Sequence, residues 1–267
     1  MPTFNFDGIH FYYQDDNSEG IPFIFLHGLG GDVNQTQDIL NEIPHIRRIT
    51  IDFRGHGKTI KFGETSKLSF HQFADDVKAL IDFLEIDQFI IGGISTGAGV
   101  ALNFVLRHPK GIQKLVLSRP AWEDKPQPEI IQEAFRIIYQ ILNDDSVLDY
   151  KEAFKQTVIY QKMNEISGYA GKTLLGQFDY PYARETSPKL IYIPSDCPNN
   201  SKSDWKSVSV PTLILASKKD PLHPLEFAET IHAGILGSNF KEITSKTISG
   251  REHKMDTVTE IHEFIKN

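Results

Sequence analysis

The chain has 267 residues, 40% hydrophobic and 24% charged, which fits one large soluble α/β domain with room for an insertion. A formal net charge of −7 gives no basic footprint, so neither nucleic acid nor an anionic membrane is expected as a partner. The single cysteine, Cys197, rules out an internal disulfide, and no apolar run approaches the ~18 residues of a membrane span.

The N-terminal stretch MPTFNFDGIHFYYQDD lacks a basic start before an apolar core. No signal peptide is therefore expected, and a cytoplasmic location is the default. The stretch reads as two short strands joined by a turn at Asp7-Gly8. PFIFLHG (22–28) is a buried strand that opens into the glycine-rich loop HGLGG (27–31). RRITIDFRG (47–55) is the next strand. A helix follows, with Phe70, Phe73, Val77, Leu80, Ile81 and Leu84 on one face and Ser69 with Gln72 as a capping box. QFIIGGIS (88–95), KLVLSRP (114–120) and PTLILASKKD (211–220) are continuous apolar runs, as in parallel strands buried on both faces. From about Arg119 to Asp204 no strand pattern appears, and EIIQEAFRIIYQIL (129–142) and YKEAFKQTVIYQKM (150–163) are helical. FKEITSK (240–246) alternates and fits an edge strand, and Met255, Val258, Ile261, Phe264 and Ile265 mark a last amphipathic helix. Strand and helix in alternation imply a doubly wound, mostly parallel sheet.

Chemistry concentrates at GGISTGAGV (92–100), where Ser95 stands between Gly93 and Gly97. G-x-S-x-G between a strand and a helix is a nucleophile elbow: the turn is so sharp that its neighbours must be small. The backbone N–H of Thr96 then points to where an oxyanion would form, and Leu29 in HGLGG is the candidate second donor. A serine hydroxyl needs a histidine base, and that base needs an orienting carboxylate. His253, in SGREHKMD just before the last helix, is the candidate base, and Asp220, closing a strand run, is the candidate acid. Glu123 or Asp124 is the runner-up acid. His27 is expected to brace its loop, His56 to support a turn and His262 to face solvent. Trp122 and His223 are the candidate substrate-pocket residues.

Taken together, HGLGG, DFRGHGKT, GGISTGAG, the Asp220 loop and His253 resemble the α/β-hydrolase superfamily, over residues 1–118 and 205–267. The resemblance implies an eight-stranded, mostly parallel sheet flanked by helices, and a Ser95-His253-Asp220 triad. It implies that residues 119–204 form a helical cap, or lid, and that no cofactor is used. Two departures are visible: Thr96-Gly97-Ala98 follows the serine where many members have Met-Gly-Gly, and Arg251-Glu252 precedes the histidine where Gly-Gly is common. The serine itself argues against the dehalogenase and epoxide hydrolase branches, which use aspartate there. The implied activity is hydrolysis of a carboxylic ester or lactone, with a bulky or macrolide-type lactone as one substrate class. C–C bond hydrolysis and cofactor-free perhydrolysis run on the same triad, and a receptor with little turnover is the alternative of another class. No metal site is expected, since no His or acidic residues cluster at ligand spacing. No motif specifies the oligomeric state.

Overall fold

The computed structural model describes residues 2–266. Its strands are β1 (Thr3–Phe6), β2 (Ile9–Asp15), β3 (Ile21–Leu26), β4 (Ile46–Ile51), β5 (Phe89–Ile94), β6 (Ile112–Ser118), β7 (Thr212–Ala216) and β8 (Asn239–Glu242). They form one eight-stranded sheet in the order β1-β2-β4-β3-β5-β6-β7-β8. Pairing is antiparallel from β1 to β4 and parallel across the rest. Asp7 and Gly8 both take positive φ, 51° and 73°, which turns β1 tightly into β2.

The helices are α1 (Val33–Leu40), α2 (Phe70–Phe83), α3 (Thr96–Arg107), α4 (Glu129–Leu142), α5 (Tyr150–Lys155), α6 (Val158–Ile166), α7 (Gly168–Leu175), α8 (Lys189–Tyr192), α9 (Leu225–Gly234) and α10 (Gly250–Lys266). Helices cover both faces of the sheet, because its central strands are apolar on both. Residues of α2, α3 and α9, among them Phe73, Phe104 and Ile231, fill one side. Leu40 of α1 and Ile261 of α10 close the other with Phe23, Phe25 and Leu215. At the start of α2, Ser69 Oγ accepts the Gln72 N–H at 3.2 Å, while the Gln72 side chain turns to Asp76 instead of back to the cap.

Helices α4 to α8 all lie between β6 and β7 and hold a separate apolar cluster around Phe135, Ile138, Phe154 and Leu174. Leu222, after β7, and Leu29, after β3, join that cluster, so the insertion packs against loops at the carboxyl ends of the strands. Among the described residues no helix is long and apolar enough to cross a membrane.

Two boundaries differ from expectation. β8 stops at Glu242 because the Thr244 N–H turns to the Asp256 carboxylate of α10 at 2.8 Å. The last helix starts at Gly250, so His253 lies in its first turn and not ahead of it.

Candidate active site

Ser95 leaves β5 with φ 57° and ψ −115°, a left-handed conformation that a residue with a side chain adopts only under constraint. The constraint is visible on both flanks. A Cβ on Gly93 would lie 2.4 Å from the Gly97 carbonyl carbon, and one on Gly97 would lie 2.3 Å from the Leu26 carbonyl oxygen. The strand and helix backbones touch, and only glycine fits between them. The Ser95 N–H donates to the Ser118 carbonyl at 3.0 Å, which ties the elbow to the end of β6.

The two backbone N–H groups expected as donors are both uncommitted among the described residues. Thr96 is the first residue of α3, so its N–H has no acceptor within the helix. Leu29 N–H has no protein acceptor among the described residues. Its loop is held from several sides. Gly28 N–H donates to Gln35 Oε1 at 2.6 Å, and a Cβ on Gly28 would stand 3.2 Å from Ser95 Cβ. His27 is fully buried; its Nδ1 bonds the Gly28 carbonyl at 2.9 Å and its Nε2 accepts the Phe53 N–H at 3.1 Å. Burial holds His27 at a pKa of about 4, so it stays neutral and braces the loop. Behind it the Arg54–Asp76 ion pair, with both side chains fully buried, fixes the turn that follows β4.

His253 is 5% exposed, and its Nδ1 lies 2.7 Å from the Thr244 carbonyl oxygen. A carbonyl only accepts, so Nδ1 carries the proton and Nε2 keeps its lone pair. Burial lowers the His253 pKa, the cations Arg119 and Lys246 lower it further, and it falls to about 3. The expected contact from Asp220 to His253 is therefore corrected: the Thr244 carbonyl, not the carboxylate, sets this ring's tautomer. Asp220 accepts instead from His223 Nδ1 at 2.9 Å and from Arg119 Nη1 at 3.3 Å. The reason is local. His223 sits three residues along the same loop, whereas His253 is carried on α10 and turned to the strand-end carbonyl. Burial pushes the Asp220 carboxyl up, but His223 and Arg119 outweigh it and hold it well below the usual carboxylate range.

The two expected pocket residues also fall elsewhere. Trp122 is 2% exposed and packs edge-on against Phe70 within the main core, with ring centroids 5.0 Å apart. His223 is buried as the partner of Asp220. Glu123, one of the two runner-up acids, pairs with Lys202 at 2.9 Å. A cavity of about 300 Å³ opens beside His253, between α1, the ends of β5 and β6 and the first turn of α10. Ile94 and Ser118, the residue before Ser95 and the carbonyl that holds it, both line it. So do Arg119, Tyr169 and Lys246; sequence reading singled out neither Arg119 nor Lys246 as functional. A signal for Arg119 existed: it is a guanidinium directly after the buried run KLVLS, where burial demands an anion. Among the described residues no group of His, Cys, Asp and Glu is placed to hold a metal ion.

Residues 21–247 match a family model described as the alpha/beta hydrolase fold. The chain is 26% identical over 231 residues to the AB hydrolase superfamily protein YisY of Bacillus subtilis, covering 84% of this chain and 83% of that one. It is 23% identical over 220 residues to a 2-hydroxymuconate semialdehyde hydrolase of a Pseudomonas strain, covering 81% and 76%. Among solved structures, the enol-lactonase from Burkholderia xenovorans has the same fold, with a TM-score of 0.77, full coverage of both chains (100% of each) and 18% identity.

Proposed function

The chain belongs to the alpha/beta hydrolase fold family, and on that premise we propose that it is a serine hydrolase cleaving a carboxylic ester or lactone through an acyl-enzyme. The observation that carries this reading is Ser95 on its left-handed elbow, with the Thr96 N–H next to it in the chain and the Leu29 N–H, in the loop whose Gly28 packs on Ser95, both uncommitted. Ser95 Oγ attacks the carbonyl carbon, and His253 Nε2 takes its proton. The negative oxygen of the tetrahedral intermediate is held by the two backbone donors. The proton then passes from His253 to the leaving alkoxide, and water repeats the sequence on the acyl-enzyme. Thr244 holds the ring, and Asp220 supports the imidazolium through space, beside the opposing charge of Arg119.

One observation favours a second base. His223 Nδ1–H donates to Asp220, which is the carboxylate–imidazole arrangement of a triad. We favour His253 because it lines the cavity that the residues around Ser95 also line. That cavity, near 300 Å³, suits a small ester or lactone. A macrocyclic lactone would require the inserted helices to move as a lid. The 2-hydroxymuconate semialdehyde hydrolase relative supports testing C–C bond cleavage on the same serine. The experiment is fluorophosphonate labelling together with an acylation burst on small esters and lactones, for the wild type and Ser95→Ala. We expect a burst and a labelled Ser95 that the variant loses. Burst kinetics surviving in Ser95→Ala would refute the reading.

A further inference from the structure

The inner end of the cavity beside His253 carries more positive charge than ester cleavage needs. The outer end is not cationic: Lys254 bonds Glu42 at 3.2 Å, and the exposed carboxylate of Asp38 adds a negative charge at the rim. The inner end differs. Arg119 has a side chain only 6% exposed and meets one carboxylate, Asp220, through Nη1. That carboxylate is shared with His223 and with the Leu222 N–H. Arg119 Nε is buried with no acceptor among the described residues. Lys246 Nζ meets a neutral group, the Tyr169 hydroxyl at 2.9 Å, and no carboxylate within ion-pair distance among the described residues. At the inner end two cations, buried Arg119 and half-buried Lys246, thus face one anion, and an excess charge held out of water is costly unless something pairs with it. The first turn of α10 opens on the same cavity through Gly250, adding the positive end of a helix dipole. The chain as a whole is acidic at −7, so this cationic spot is not a by-product of composition.

Resting on the serine-hydrolase reading above, we propose that Arg119, Lys246 and the Tyr169 hydroxyl form a subsite for a carboxylate on the substrate. The enzyme then cleaves esters or lactones whose acyl part carries a second, anionic group. One excess cation matches a monoanion, which favours a carboxylate over a phosphate dianion. Ile94 and Ser118 line the same cavity next to the Ser95 elbow, so the spacer between scissile carbonyl and carboxylate is short. The charge also bears on the base. Arg119 and Lys246 repel the imidazolium of His253, and a bound carboxylate offsets them, raising its basicity when substrate is present.

The test compares the p-nitrophenyl monoester of glutaric acid with the p-nitrophenyl ester of glutaramic acid, equal in length but neutral. We expect the wild type to favour the anionic ester in kcat/KM by roughly ten- to hundredfold, mainly through KM. That ratio should fall toward one in Lys246→Met and decline partway in Tyr169→Phe. A wild-type ratio at or below one, or a ratio kept in Lys246→Met, would overturn the proposal. If neither ester turns over, protection of Ser95 from fluorophosphonate by glutarate, lost in Lys246→Met, supports it, and absent protection overturns it. If Ser95 does not label at all, the serine-hydrolase reading fails. The subsite then stands or falls on calorimetric binding of glutarate to the wild type against Lys246→Met.

Discussion

In the proposed mechanism the chemistry at Ser95 depends on which histidine can take a proton, and two imidazoles compete. His253 has its tautomer set by the Thr244 carbonyl, and His223 has its own set by Asp220. If His253 is the base, His253→Ala should lower kcat on a small ester by several orders of magnitude. His223→Ala should then cost far less, since it removes only one partner of Asp220. Equal losses, or the reverse ranking, in single-turnover assays would move the role to His223. The pH profile gives an independent reading. A base works deprotonated, so activity falls on the acid side as the histidine protonates. With His253 near 3, the free enzyme should hold its kcat/KM for a neutral ester well below pH 6.5, where an ordinary histidine begins to fail. Removing the Lys246 charge raises the His253 pKa, so in Lys246→Met the acid limb should move to higher pH. An unmoved limb would mean that His253 is not the group being titrated.

The element that sets the site is the strand–turn–helix from β5 to α3, and its tolerance is measurable. A Cβ on Gly97 would meet the backbone oxygens of Leu26 and His27 at 2.3 and 2.7 Å, atoms that no rotamer change can move. Gly97→Ala should therefore destabilise the fold by roughly 1–3 kcal/mol and slow Ser95 labelling, read by urea denaturation and fluorophosphonate kinetics. Wild-type stability in the variant would mean that β3 and α3 part more easily than their contact implies. This element was legible in the sequence because sharp turns impose small residues, and Gly93 and Gly97 say so directly. The central strands were legible for a similar reason: burial on both faces leaves continuous apolar runs. The ends of elements were less so. Nothing local in SGREHKMD marks whether α10 starts before or after His253, because Thr244 and Asp256 decide that across the turn. Trp122 was misplaced because an aromatic after a strand suits pocket and core alike, and Phe70, remote in sequence, claims it. The Asp220–His223 pair is local, yet chain order favoured the distant histidine.

Across the whole molecule, buried histidines tie stability to pH. Burial lowers His27 from its ordinary 6.5 to about 4, and burial with Arg119 and Lys246 lowers His253 to about 3. His56 and His223 are also lowered, burial again the largest cause. Below pH 6.5 the unfolded chain binds protons that these folded rings refuse, so stability is fully present above about 6.5 and is lost as pH falls toward 4. Two carboxyls oppose this. Burial raises Asp52 to about 6 and also raises Asp76, so the folded state gains protons there before the unfolded chain does. Between pH 7 and 5 four histidines act against two aspartates, and the histidines start from the higher ordinary pKa. Net stability should therefore fall over this interval, by an amount on the order of a few kcal/mol. Urea midpoints at pH 7 and pH 5 measure it. A midpoint that stays level or rises on acidification would mean that the histidines are less desolvated than their burial implies. His27, which braces the Leu29 loop, and His253, the proposed base, would then need another explanation for staying neutral.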